Sequence, residues 1–342
     1  MEIFLSVLYL IIGLVLLIFG GDWFVKSSIQ IAHRTKIPQA IVGATIVSIA
    51  TTLPELLVTI LSSTKGSFGL AVGNSIGSVI VNTGLIAGLA LCFLKIKQDS
   101  KHMSLKFVVL ILSGVFLLAV SINQNVSWIE GMFLILIAVG FFALNIYDAK
   151  KSFGQFGPEE DEAKPMKTWQ IVVFFILGTA GIAGGAELLV LGGENLARLA
   201  GMSETFIGLT IIGIGTSLPE LVTTISSIRR KAGGIGIGNI VGANVLNIGL
   251  LVGLASCISG SEGLSVDMLT MAISIPVAIV LCLLMAIPLM AKKESFRWQG
   301  ITLISIYVVY LTFSMQSLVM LHKKMVDMWI TYPKTPPFVH IS

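Results

Sequence analysis

Residues 43–55, Gly-Ala-Thr-Ile-Val-Ser-Ile-Ala-Thr-Thr-Leu-Pro-Glu, return 165 positions later as residues 208–220, Gly-Leu-Thr-Ile-Ile-Gly-Ile-Gly-Thr-Ser-Leu-Pro-Glu. The same offset continues without a gap. It links Gly73-Asn74-x-x-Gly77 to Gly238-Asn239-x-x-Gly242, then Asn82-x-Gly84-Leu85 to Asn247-x-Gly249-Leu250, and ends at Cys92 and Cys257. Each copy sets a proline and then a carboxylate inside an apolar run long enough to cross a bilayer. A charge there is costly and is kept only where something neutralises it, so an intramembrane acid is by default a functional-site hypothesis. A chain carrying two such copies must fold so that both acids find partners.

Of the 342 residues, 55% are hydrophobic and only 12% charged; soluble domains carry about 25% charged residues. Apolar stretches of about 20 residues recur along the chain, enough for membrane-spanning helices. The alternating short segments of a barrel are missing, so the expected class is an all-α integral membrane protein. Ten transmembrane helices are predicted, over 3–32, 38–63, 69–94, 105–122, 128–148, 168–197, 204–228, 234–258, 266–290 and 298–320. They form two five-helix repeats, 1–148 and 168–320, whose duplicated motifs occupy 43–90 and 208–255. A polar linker, 149–167, joins them, and 321–342 is a tail. Cys92, Cys257 and Cys282 all sit in apolar runs and read as small packing residues rather than a disulfide framework.

The cations sort by loop. One side of the membrane would hold Arg34, Lys36, Lys95, Lys97, Lys101, Lys106, Lys150, Lys151, Lys164, Lys167, Arg229, Arg230, Lys231, Lys292, Lys293 and Arg297. The other would hold Lys65, Arg198, Lys323, Lys324 and Lys334, with Lys26 inside the first span. The positive-inside bias makes the first side cytoplasmic. The linker is then a cytoplasmic loop, and both termini are extracytoplasmic in a multi-pass protein of the cell (inner) membrane. Glu55 and Glu220 are five spans apart, an odd number, so the two repeats are inverted. Inverted repeats are the architecture of many secondary transporters, with broken helices meeting at a midplane site.

The chemistry concentrates at the duplicated breaks. Pro54 has no N–H to offer the carbonyl of Ala50, and a carbonyl freed inside a bilayer must find protein, water or an ion. Beside it lie the hydroxyls of Thr51 and Thr52 and the carboxylate of Glu55. In the second repeat Pro219 follows Gly213, Gly215, Thr216 and Ser217 and precedes Glu220. Ser78 and Asn82, four apart, share one helix face, and Asn247 corresponds to Asn82. An all-oxygen set with two carboxylates suits hard cations such as calcium or sodium. No His or Cys joins the set.

Other polar residues read as structural. Asp22 and Glu187 are also 165 apart; Asp22 has Lys26 one turn on, a local ion pair, and Glu194 lies near a helix end. Asn74, Asn239 and Asn244 suit helix–helix hydrogen bonds as well as ligation. The pairs Gly73/Gly77, Gly84/Gly88, Gly238/Gly242 and Gly249/Gly253 are small-residue faces for close helix contact. Ser127-Trp-Ile-Glu130 is a capping box opening the fifth span.

The two Leu-Pro-Glu motifs, each followed by Gly-Asn-x-x-Gly and an Asn, resemble the alpha-repeats of the cation/calcium exchanger superfamily. The likeness is greatest to its prokaryotic sodium/calcium antiporters and covers roughly 10–95 and 175–260. The resemblance implies ten helices, with the first and sixth lying across an eight-helix core and sliding to alternate access. It implies cation sites built by Glu55, Glu220, Asn82, Asn247, Thr51, Thr52, Thr216, Ser217 and Ser78, with backbone carbonyls near Ser48 and Gly213. Three positions depart from the usual pattern. Asn247 stands where some relatives have Asp, which argues against potassium coupling. Ala243 stands where the counterpart of Ser78 is usually Ser, one hydroxyl fewer at a sodium site. Ala50-Thr51-Thr52 replaces the more usual Gly-Thr-Ser and keeps both hydroxyls.

The expected activity is secondary antiport of calcium against sodium by alternating access at a two-glutamate site. Proton/calcium or other divalent cation exchange is the alternative, since a buried carboxylate is held by a cation or by a proton. A cation channel fits the inverted repeat less well. An enzyme is not expected, because no nucleophile, base and orienting residue group together. The partners are calcium and sodium ions and the lipid bilayer. Nothing calls for a cofactor, a nucleic acid or a protein partner.

Overall fold

The computed structural model describes residues 2–96, 101–152, 166–199 and 213–331. The centre of the linker, the opening of the second motif at 208–212 and the tail from 332 lie outside the described residues, as does the side chain of Glu194. The described chain is helical: α1 (Glu2–Thr35), α2 (Gln39–Thr51), α3 (Leu53–Thr64), α4 (Phe68–Phe93), α5 (Lys101–Val120) and α6 (Trp128–Ser152). Then come α7 (Thr168–Leu199), α8 (Gly213–Thr216), α9 (Leu218–Arg229), α10 (Gly233–Glu262), α11 (Thr270–Lys292) and α12 (Arg297–Thr331). Seven are long and apolar enough to cross a membrane, and α2 with α3, bent by 46° at one residue, make an eighth. The helix α12 runs on to Thr331, into the stretch expected to be tail.

Two local details follow the sequence and one does not. The capping box forms: the Ser127 N–H and hydroxyl both donate to Glu130 Oε2 at 2.8 Å, and the Glu130 N–H donates back to Ser127 Oγ at 3.4 Å. This satisfies N–H groups at the start of α6 that the helix cannot. The helix α3 ends at Thr64, with Gly66 at φ 73° turning the chain into α4. The unexpected element is a two-residue antiparallel ladder, Asn125–Val126 against Leu264–Ser265, which pins the loop before α6 to the loop before α11.

Two cores divide the molecule. The larger is formed mainly by α4, α5, α6, α10, α11 and α12, around Phe107, Phe141, Leu134, Leu281 and Met285. Of the long helices, α10 and α4 are the most deeply buried. The smaller core, around Leu17, Phe24, Ile29 and Ile182, binds α1 to α7 and to the start of α2 and α10.

The helices α1 and α7 touch backbone to backbone. A Cβ at Gly13 would lie 2.8 Å from the Gly185 carbonyl oxygen, one at Gly178 2.7 Å from Phe24 N, and one at Gly192 2.8 Å from the Ser6 carbonyl oxygen. Small residues allow this approach, and van der Waals packing holds it in lipid. At one end Arg34 donates to Thr168 Oγ1 and to the Met166 carbonyl. The pair is therefore packed as one slab.

The anticipated glycine faces make close contacts at Gly84, Gly88, Gly238, Gly242, Gly249 and Gly253. Gly84 and Gly88 receive Tyr307 and Ile304 of α12, Gly249 and Gly253 receive Leu134 and Gly131 of α6, and Gly238 and Gly242 receive Ala40 and Ala44 of α2. At Gly73 and Gly77, among the described residues, nothing comes within 4 Å of an added Cβ.

Candidate functional site

The breaks fall one residue before Leu-Pro-Glu in both repeats. Thr52 has φ −84° and ψ 0°, and Ser217 has φ −90° and ψ 4°. These values lie in the sparsely populated region between helix and strand. Pro54 and Pro219 then sit in the first turn of α3 and α9, where a missing N–H costs nothing because it would have no intrahelical partner. The proline thus starts a second helix instead of kinking a continuous one. Glu55 and Glu220 follow in that first turn, at the helix end whose N–H groups favour negative charge.

Both carboxylates are fully buried and lie within electrostatic reach of each other. Thr52 of the first repeat donates to Glu220 Oε1 at 3.3 Å, which ties one break to the other. Thr51 donates to Asn239 Oδ1 at 3.0 Å, and its counterpart Thr216 donates to Asn74 Oδ1, the counterpart of Asn239, at 3.4 Å. Ser217 donates to Ser78 Oγ at 3.4 Å. Each break therefore leans on the following helix of the other repeat. Asn74 also donates to the Glu55 carbonyl and to Thr59 Oγ1, both at 3.2 Å, so it braces α3 against α4.

The helices α4 and α10 widen to π geometry over Val81–Ala87 and Leu246–Leu251. These stretches begin at corresponding positions, and Asn82 and Asn247 are the second residue of each. A π turn inserts an extra residue and turns the side chains that follow, a device common at functional sites. Asn82 donates to Asn244 Oδ1 at 3.3 Å, and Asn244 donates to Thr83 Oγ1 at 2.7 Å. Asn247 has no such neighbour, because the residue three before Asn82 is Val79 where the second repeat has Asn244. Among the described residues, both polar atoms of the fully buried Asn247 amide are left without a partner.

The same is true of Glu55 Oε1 and Oε2, Glu220 Oε2 and Asn82 Oδ1. Buried polar atoms are almost always hydrogen-bonded. Carboxylate and amide oxygens of this kind, left without partners, are the ligand type that hard cations take. The remaining expected ligands are less free. Ser48 is buried in α2 and its hydroxyl donates to the Thr45 carbonyl at 3.1 Å; its own carbonyl accepts from Thr52 N at 3.0 Å and from Thr51 Oγ1 at 3.4 Å. Gly213 opens α8, three residues before Thr216. Ala243 is buried in α10 and brings no hydroxyl.

Two features were not expected. The local pair of Asp22 with Lys26 does not form; Asp22 Oδ1 instead receives Arg230 through Nε at 3.1 Å and a terminal nitrogen at 2.5 Å. Their separation of 208 positions offers no local signal. The relay from Asn244 through Thr83 to Cys282 of α11, the last step 3.8 Å, was also missed. Its only trace in the sequence is the extra asparagine of the second repeat.

The sequence profile of the sodium/calcium exchanger protein family matches residues 5–147 and 170–316. The sodium/calcium exchanger MaX1 of Methanosarcina acetivorans is 31% identical over 341 residues, covering 89% of this chain and 97% of that protein. A membrane protein of Methanocaldococcus jannaschii is 31% identical over 306 residues, 89% of this chain and 96% of its own length. Among solved structures, the sodium–calcium exchanger NCX_Mj soaked with sodium and strontium superposes with a TM-score of 0.80 at 30% identity, over 91% of this chain and 99% of that one.

Proposed function

The chain belongs to the sodium/calcium exchanger protein family, and from that premise we propose that it exchanges calcium for sodium by alternating access at a site centred on Glu55 and Glu220. One observation supports the reading: three carboxylate oxygens and two amide oxygens, all buried and all from corresponding positions of two sequence repeats, lack hydrogen-bond partners among the described residues. Thr51, Thr52, Ser78, Thr216 and Ser217 border them with hydroxyls, Asn82 and Asn247 supply the amides, and carbonyls near Ser48 and Gly213 complete the set. The chain is arranged as ten spans in two inverted five-helix repeats, and the slab of α1 and α7 moves against the rest.

Charge counting sets the cargo. Asn82 and Asn247 are neutral, so the two carboxylates carry −2, which balances one calcium or two sodium ions. Calcium and sodium compete for the same oxygens, and this competition couples their fluxes. A third sodium would leave the site at +1 and make exchange electrogenic, with potential biasing it by about 2.3 kcal/mol per charge per 100 mV. In proteoliposomes, an outward sodium gradient should drive calcium uptake, and uptake should rise as the interior is made more positive, and fall as it is made more negative, with potassium and valinomycin if three sodium ions leave per calcium. A rate that ignores potential would set the ratio at two. In that case Ala243→Ser, which adds the hydroxyl opposite Ser78, should bring voltage dependence in. Uptake driven by a proton gradient and indifferent to sodium would overturn the sodium reading.

The charge distribution orients the protein with both termini outside. A cysteine at Ser342 is expected to react with an impermeant thiol reagent added to intact cells, and one at Gln155 only after permeabilisation. The reverse pattern would invert the orientation and leave the site assignment untouched.

A further inference from the structure

We propose that two ion pairs related by the repeat, Asp22–Arg230 and Glu187–Lys65, form alternately and latch the α1–α7 slab at one end of the molecule and then at the other. Asp22 corresponds to Glu187 and Lys65 to Arg230, both at the 165-residue offset of the motifs. Each pair thus joins an acid of the slab to a cation capping the helix that follows a Leu-Pro-Glu break. Only one of the two is closed. Arg230 donates twice to Asp22 Oδ1, beside a tight contact in which a Cβ at Gly21 would lie 2.3 Å from Val222 Cγ1 of α9. Glu187 and Lys65 are both exposed, and among the described residues neither has an ion-pair partner.

The two pairs belong to opposite ends. Gly234, four residues beyond Arg230, packs on Gln39 at the start of α2, so Arg230 lies at the end where the chain enters α2. Lys65 caps α3, where the same bent span leaves. The Arg230 end is also the end at which α2 and α10 close backbone to backbone through Gly43 and Gly238. A slab that slides to release that end would carry Asp22 away from Arg230 and bring Glu187 toward Lys65, because the repeat maps one arrangement onto the other. The side chains of Arg230 and Asp22 are 28% and 45% exposed. A partly exposed pair is weak, worth a few-fold in population, and this strength suits a catch that biases a moving part without locking it.

The latch rests on the alternating-access reading, and the test separates the two. With Cys92, Cys257 and Cys282 replaced by Ala, Glu187→Cys and Lys65→Cys are introduced together and treated with a short bifunctional thiol reagent in proteoliposomes. Cross-linking is expected, and Arg230→Gln or Asp22→Asn should each speed it by about two- to five-fold. The two substitutions combined should add little to either alone, since they remove one interaction. Arg230→Lys, and the exchange Asp22→Lys with Arg230→Asp, should return the original rate. The latch is overturned if the cysteines never cross-link, or if the rate ignores Arg230→Gln and Asp22→Asn. Sodium-driven calcium flux is measured separately on the unsubstituted chain. Responsive cross-linking without flux would remove the transport reading and keep the latch; flux with unresponsive cross-linking would remove the latch alone.

Discussion

Glu55→Gln and Glu220→Gln are each expected to abolish sodium-driven calcium uptake while the protein still inserts and folds. Glutamine keeps the shape of the side chain and one oxygen but halves the charge that the two acids present to a divalent ion. Removing one partner of a buried ion pair costs about 3–5 kcal/mol, roughly a hundred-fold or more in affinity. Folding should not suffer, because two facing buried carboxylates repel when no cation sits between them, and the substitution relieves that repulsion. Melting without divalent ions should therefore be unchanged or raised, while the extra stability that calcium lends the unsubstituted protein by binding its folded form should vanish. Glu187→Gln, outside the proposed site, should leave most of the flux. Near-normal uptake in either Glu55→Gln or Glu220→Gln would remove the two-glutamate assignment.

The second large effect concerns the glycines at which α10 meets α2. A Cβ at Gly238 would lie 2.4 Å from the Ala40 carbonyl oxygen and 3.0 Å from Ala44 N, and one at Gly242 would lie 2.4 Å from Ser48 Oγ and 2.7 Å from the Ala44 carbonyl oxygen. The obstacles are largely backbone, so α2 and α10 must separate where Ser48 and Asn239 join them to the proposed site. Gly238→Ala and Gly242→Ala should each lose about 1–3 kcal/mol from overpacking, read as a clear fall in melting temperature in detergent and a fall in flux. Melting temperatures of Gly238→Ala and Gly242→Ala equal to that of the unsubstituted protein would contradict this account.

The sequence by itself determined whatever depends on composition or on neighbours along the chain. Helical class follows from apolar run lengths that bilayer thickness sets. The breaks at Thr52 and Ser217 follow from Leu-Pro-Glu, because the proline acts on its own turn. The Ser127–Glu130 cap formed because all its donors and acceptors lie within four residues. The acids and asparagines of the proposed site were legible because duplication marks them twice. What only the tertiary structure decided is which groups face each other. Asp22 had a cation one turn away in Lys26 and took one 208 positions away in Arg230, since the face of α1 that carries it is pressed on α9. The π turns at Val81–Ala87 and Leu246–Leu251 leave no mark in the residue pattern, yet they set the positions of Asn82 and Asn247. The close approach of α2 at Gly238 and Gly242 is likewise a matter of packing, since nothing in the glycine spacing says which helix closes on them. A repeat encodes both members of each pair equally. Of the two equivalent ion pairs only Asp22–Arg230 is closed among the described residues, and that choice belongs to the packed slab and core rather than to any stretch of sequence.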